Sequence, residues 1–79
     1  YQIVCVEQVQ GSVSLEKFTP IQGQKYAFVF GNEVFGVNDA WIQEADFSLE
    51  IPQFGTKHSL NVSVSMGVVI WDFVSKIIA

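Results

Sequence analysis

Residues 26–30 read Tyr-Ala-Phe-Val-Phe, a continuous apolar and aromatic run that stops abruptly at Gly31. A run this short suits a strand, and the lack of polar alternation marks one that is buried on both faces. Strands of that kind belong to parallel sheets, whose crossover connections cover both sides. Parallel neighbours need long connections between them, usually helical, so this one run predicts an α/β fold.

The rest of the chain supplies matching parts. Residues 1–6 (Tyr-Gln-Ile-Val-Cys-Val) form a β-branched run ending near Glu7, which reads as a buried strand. Residues 10–18 form a loop with one helical turn, closed by Thr19-Pro20, and Gln22-Gly23-Gln24-Lys25 is a polar turn. Asn38-Asp39 offers a helix start, with Ala40, Trp41, Ile42 and Ala45 as one apolar face. Residues 47–51 (Phe-Ser-Leu-Glu-Ile) alternate apolar and polar, a strand with one face partly exposed, ended by Pro52 and Gly55. The segment 59–79 carries two signals. Val62, Val64, Met66 and Val68 alternate with small residues, yet Leu60, Val64, Val68, Trp71 and Phe73 or Val74 fit one side of a helix. Its length favours helix, and a helix so apolar around its circumference needs a cover, expected to be another subunit.

Composition narrows the functional classes. Hydrophobic residues make up 49% of the 79, enough to offset chain entropy and exclude a disordered tail. A domain of this size buries only ~60% of its unfolded surface, so apolar surface is left for a partner or a further segment to cover. The net charge is −4, with four lysines, eight acidic residues and no arginine. Nucleic-acid binding draws on Lys and Arg to displace phosphate counterions, so this segment alone is a poor RNA binder. Cys5 is the single cysteine, which excludes a disulfide framework and a cysteine-based metal site and suits the cytoplasm. It lies among Ile3, Val4 and Val6 and reads as a buried, inert thiol. No secretory leader is recognisable, and the apolar stretch from Val62 to Ile70 is too short to span a bilayer. No His, Cys, Asp or Glu cluster has metal-ligand spacing.

Open α/β sheets bind ligands beyond the carboxyl ends of their strands. Two such ends stand out, Phe30-Gly31-Asn32-Glu33-Val34-Phe35-Gly36 and Ile51-Pro52-Gln53-Phe54-Gly55-Thr56-Lys57-His58-Ser59-Leu60-Asn61-Val62-Ser63. Glycines there allow close approach of backbone to a ligand, and Glu33 adds a carboxylate beside it. Ser59 and Asn61 open the last helix, either capping it or facing a ligand. Taken singly, such features are more often turns, caps and solvated charges than sites. His58 has no orienting acid and reads as a surface residue, and Asp46 and Glu50 read as solvated charges.

Together the two junctions are far more specific. Phe30-Gly31-Asn32-Glu33-x-x-Gly36 resembles the second motif of the SpoU-type RNA ribose 2′-O-methyltransferases. Ile51-Pro52-x-x-Gly55-x-x-x-Ser59-Leu60-Asn61-Val62-Ser63 resembles their third, and Val6-Glu7-Gln8-Val9-x-x-Ser12-x-x-Leu15 the stretch that precedes both. The resemblance implies the carboxy-terminal part of a SPOUT-type α/β knot, a parallel sheet with flanking helices and a trefoil-knotted carboxy-terminal segment. It implies S-adenosylmethionine as cofactor, with Gly31, Gly36, Ile51, Gly55 and Leu60 at its pocket. Glu33, Ser59 and Asn61 match residues that support catalysis. The implied partners are a tRNA or rRNA substrate and a second copy docked through the final helix, in the cytoplasm, with neither membrane nor metal.

One departure bears on activity. The family's arginine lies in a first motif, roughly Asn-x-Gly-x-x-x-Arg, and this chain contains no arginine. The expectation is therefore a partial methyltransferase domain over residues 1–79, with motifs two and three present and the first missing. The alternative is a cofactor-binding or dimerisation module without a catalytic role; an unrelated α/β interaction domain would require two spaced motifs to coincide by chance. The 79-residue segment by itself is expected not to methylate RNA. Ribose methylation by the isolated segment, measured with labelled methyl donor and tRNA, would overturn that expectation.

Overall fold

The structure is a computed structural model that describes residues 1–31, 37–52 and 61–78. Its elements in chain order are β1 (Gln2–Val6), β2 (Val13–Ser14), a single-turn helix (Leu15–Lys17), β3 (Tyr26–Phe30), α1 (Asp39–Glu44), β4 (Phe47–Glu50) and α2 (Val62–Ile78). The sheet runs β2-β4-β1-β3, and every pairing in it is parallel. β1 is thus paired on both edges, Val4 lying level with Phe28 on one side and Phe47 on the other.

Strand alternation sorts the side chains by face. Val4, Val6, Tyr26, Phe28, Phe30, Phe47, Leu49 and Ile51 all belong to the core that also contains Leu15, Phe18 and Val69. Val4, Leu49 and Val69 are completely buried. Aromatic edges lock this face. Phe73 of α2 meets the rings of Tyr26 and Phe28 at 5.4 and 5.5 Å, and Phe18 meets Tyr26 and Phe47 at 5.7 and 5.6 Å. Cys5 and Ser48, level with each other across the β1–β4 pair, belong to the opposite face. Both are buried, as expected for Cys5.

Polar links close the connections. Gln24 N–H donates to the Ile21 carbonyl and Ser12 N–H to that of Val9, at 3.1 and 3.0 Å. Gly23 and Gly11 occupy the third position of these two turns with φ of 84° and 85°, where a side chain would be strained. Lys76 Nζ donates to the carbonyls of Leu15 and Phe18 at 2.7 and 2.6 Å. It also pairs with Asp72 Oδ2 at 2.7 Å. The short helix at 15–17 is thereby clamped to the end of α2.

Several expectations change in detail. β3 is half-buried along its whole length, not sealed on both faces, because it is the outermost strand of the described sheet. β4, read as partly exposed, is interior: it lies between β2 and β1 with Ser48 and Leu49 buried. Asp46 Oδ2 accepts from Ile3 N–H at 2.7 Å and Glu50 Oε1 from the Ser12 hydroxyl at 2.8 Å, so both charges carry structural bonds. α1 forms where Asn38-Asp39 predicts, with Asn38 Oδ1 accepting from Ala40 N–H at 2.8 Å. Its apolar face is only partly covered: Ile42 and Ala45 are half-buried, and Trp41 is 48% exposed. α2 is helical, as its length predicts, and leaves Val64, Met66, Ile70, Trp71, Val74 and Ile78 exposed. No helix among the described residues is long and apolar enough to cross a membrane.

Two measurements check this core. Leu49→Ala removes a completely buried side chain and is expected to cost about 2–5 kcal/mol in urea unfolding. Burial raises the Cys5 thiol above its ordinary pKa, and the Glu7 carboxylate adds to the rise. Cys5 is therefore expected to react with disulfide reagents at pH 8 far more slowly in the native protein than in urea. The stability gained by keeping this thiol neutral is full below the pKa of an unfolded cysteine, about 8.5. It falls away as pH rises towards the folded value, a loss that Cys5→Ala should lack.

Candidate functional site

Because all four strands are parallel, their carboxyl ends open onto one edge of the sheet. Val6 is level with Phe30 on one side and with Leu49 on the other. One residue further along each strand stand Glu7, Gly31 and Glu50. Gly31 and Ile51 therefore leave the sheet on either side of β1, roughly 10 Å apart at two strand spacings. Both are partly buried. Their segments carry the two motifs, and the topology brings them to the same edge although 20 positions separate them in the sequence (51 − 31).

Asn61 precedes α2. Its Oδ1 accepts from Ser63 N–H at 2.8 Å, and its carbonyl accepts from Ser65 N–H at 2.9 Å. The side chain caps the helix, satisfying one of the amides that a helix start leaves without an intrahelical partner. Glu33, Gly36, Gly55, Ser59 and Leu60, named above as site residues, and His58 lie outside the described residues. So do both loops in which the knot would be tied. Among the described residues, no group of three or more His, Cys, Asp or Glu is placed to hold a metal ion.

Glu7 acquires a role that its place in the sequence did not suggest. Its backbone N–H donates to the Leu49 carbonyl at 2.9 Å, extending the β1–β4 ladder by one residue. Its Oε2 accepts from Val37 N–H at 2.5 Å. Val37 is 5% exposed and stands just before the cap of α1. One residue thus joins the end of β1, the end of β4 and the point where the chain returns after the second motif. The sequence signal was a carboxylate directly after a β-branched run, at a strand's carboxyl end.

Comparison with known proteins agrees with this arrangement. The profile of the SpoU rRNA Methylase family matches residues 1–71. The chain is 37% identical over 73 residues to the tRNA (guanosine(18)-2′-O)-methyltransferase TARBP1 of Mus musculus, covering 92% of this chain and 4% of that protein. It is 30% identical over 73 residues to the tRNA (guanosine(18)-2′-O)-methyltransferase of Saccharomyces cerevisiae, covering 92% of this chain and 5% of the relative. The crystal structure of the A. aeolicus TrmH/SpoU tRNA modifying enzyme superposes with a TM-score of 0.80 at 31% identity, over 95% of this chain and 37% of that one. The chain therefore spans only a small part of each of these relatives. With its parallel sheet, its flanking helices and a profile match over most of its length, the chain belongs to the SpoU rRNA Methylase family.

Proposed function

We propose that the chain is the S-adenosylmethionine-binding, carboxy-terminal part of an RNA ribose 2′-O-methyltransferase that acts on tRNA or rRNA. The observation that carries this reading is the placement of Gly31 and Ile51 at one sheet edge, on either side of β1. The described part of that edge fits the cofactor: a glycine offers open backbone to polar groups, and a half-buried isoleucine offers apolar surface to a flat base. Gly31, Gly36, Ile51, Gly55 and Leu60 would hold it, with Glu33, Ser59 and Asn61 supporting the site. When bound, it supplies the electrophilic methyl group.

This chain's own residues bind and orient. The cap made by Asn61 fixes the start of α2 at the third motif, and the parallel ladder fixes the separation of the two strand ends. The segment has no arginine and a net charge of −4, so the ribose-activating arginine and the grip on RNA come from outside these 79 residues. The exposed apolar side of α2, from Val64 to Ile78, docks a second copy. The assembled enzyme works in the cytoplasm.

Two arms test the reading in the full-length protein. Calorimetric titration with S-adenosylmethionine is expected to saturate at one site per subunit, and labelled methyl from the cofactor is expected to appear on a ribose 2′-oxygen of tRNA or rRNA. Saturable binding without transfer to either RNA would instead favour a cofactor-binding module with no catalytic role. Absence of both would sink the assignment.

A further inference from the structure

Gly67 stands inside α2 with nothing in its own chain to require it. A glycine in a helix interior destabilises the helix relative to alanine. Its φ is not positive, and a Cβ added there would meet no atom within 4 Å. Gly67 belongs to a line: Val64, Gly67, Trp71, Val74 and Ile78 recur three, four, three and four residues apart. That spacing keeps to one side of a helix and is the spacing by which helices pair. All five are exposed, Trp71 by 75%. Val69 and Phe73, which pack in the core, lie on the other side. The two charged residues of α2, Asp72 and Lys76, pair with each other at 2.7 Å, and Lys76 also donates to the Leu15 and Phe18 carbonyls. The line therefore carries no charge, in a chain whose net charge is −4. An identical chain brings the same negative charge, so a neutral apolar face is where two copies meet with the least repulsion.

A second α2 laid antiparallel on this line falls into a register of matched sizes. Setting position 67 against 71 also sets 64 against 74, because the spacing from 64 to 74 is the same read in either direction. The smallest residue of the line then faces the largest, Gly67 against Trp71, and Val64 faces Val74. A two-fold axis repeats each contact, so both copies give and receive the same fit. We infer that α2 pairs antiparallel with α2 of a second copy, the Trp71 indole of each seated over Gly67 of the other. The inference deepens the docking of a second copy proposed above and rests on it. It accounts for the glycine, since a side chain at 67 would hold the facing indole away. A parallel pair would instead set Trp71 against Trp71 and Gly67 against Gly67, crowding one level and leaving a hole at the next.

Cysteine cross-linking in the full-length protein reads the register. Val64→Cys and Val74→Cys each change an exposed residue and leave the core intact. Mixed and oxidised, the two variants are expected to give a dimer whose disulfide joins 64 to 74, identified by mass spectrometry. Val64→Cys alone is expected to give none, because antiparallel copies hold the two 64 positions about 15 Å apart, beyond disulfide reach. Sedimentation velocity reads the size match. Trp71→Ala and Gly67→Trp are each expected to weaken the dimer at least about thirtyfold, the scale of a central interface residue. Exchanging the two residues, Gly67→Trp with Trp71→Gly, restores large against small and is expected to recover the dimer to within about fivefold of wild type. A dimer in which 64 joins to 64, or to nothing, overturns the antiparallel register while dimerisation itself stands. A dimer as strong in Trp71→Ala as in wild type, or no recovery in the exchanged variant, overturns the seated indole. If wild type stays a monomer at every concentration, the docking reading fails and this inference fails with it.

Discussion

Parallel pairing on both edges of β1 is the constraint from which the other features of this chain follow. Parallel neighbours cannot be joined by a tight hairpin, so the chain must cross over the sheet between β1 and β3 and again between β3 and β4. Each crossover returns the chain to the same end of the sheet. The carboxyl ends of β1, β3 and β4 are thereby level, and Glu7, Gly31 and Glu50 stand in a row there. Gly31 and Ile51, the described starts of two motifs separated in the sequence, thereby leave the sheet at the same edge. The same constraint gives the sheet one strongly apolar face, which α2 and the turn at Leu15–Lys17 cover.

Much of this was legible in the residues themselves, and the reasons differ by element. Tyr26–Phe30 has no polar residue to mislead, so its strand character was plain. Its neighbours were not, because a local run cannot say how many strands flank it. Val13–Ser14 is too short to show any period, and it registers as a strand only by pairing with Leu49 and Glu50. α2 carried a strand-like alternation at 62–68; length decided it correctly. Asn38 is recognisable as a cap because capping is local, whereas the sequence leaves Asn61 open between capping α2 and facing a ligand.

What sequence could not supply were partners brought together by topology. Asp46 was read as a solvated charge, yet its acceptor serves Ile3, 43 positions away. Glu50 was read the same way and holds Ser12 across 38 positions. Glu7 shows no task in the sequence, because Val37 is its neighbour only in the folded chain. In each case the side chain was visible and its chemistry known. The missing quantity was distance, which belongs to the fold.

The Lys76 clamp has a temporal consequence. Its ammonium closes onto carbonyls 61 and 58 positions earlier in the chain, and Val69, the buried residue of α2, completes the core formed by Val4 and Leu49. A nascent chain emerges amino terminus first and pays loop-closure entropy before distant contacts repay it. The strands can therefore be synthesised well before the element that seals them exists. Until α2 has been made, only the segment carrying Leu15 and Phe18 covers the aromatic face of Tyr26, Phe28 and Phe47. Its maturation is thus tied to the last part of the segment to be translated, and anything that delays or removes that helix leaves an exposed apolar sheet during synthesis.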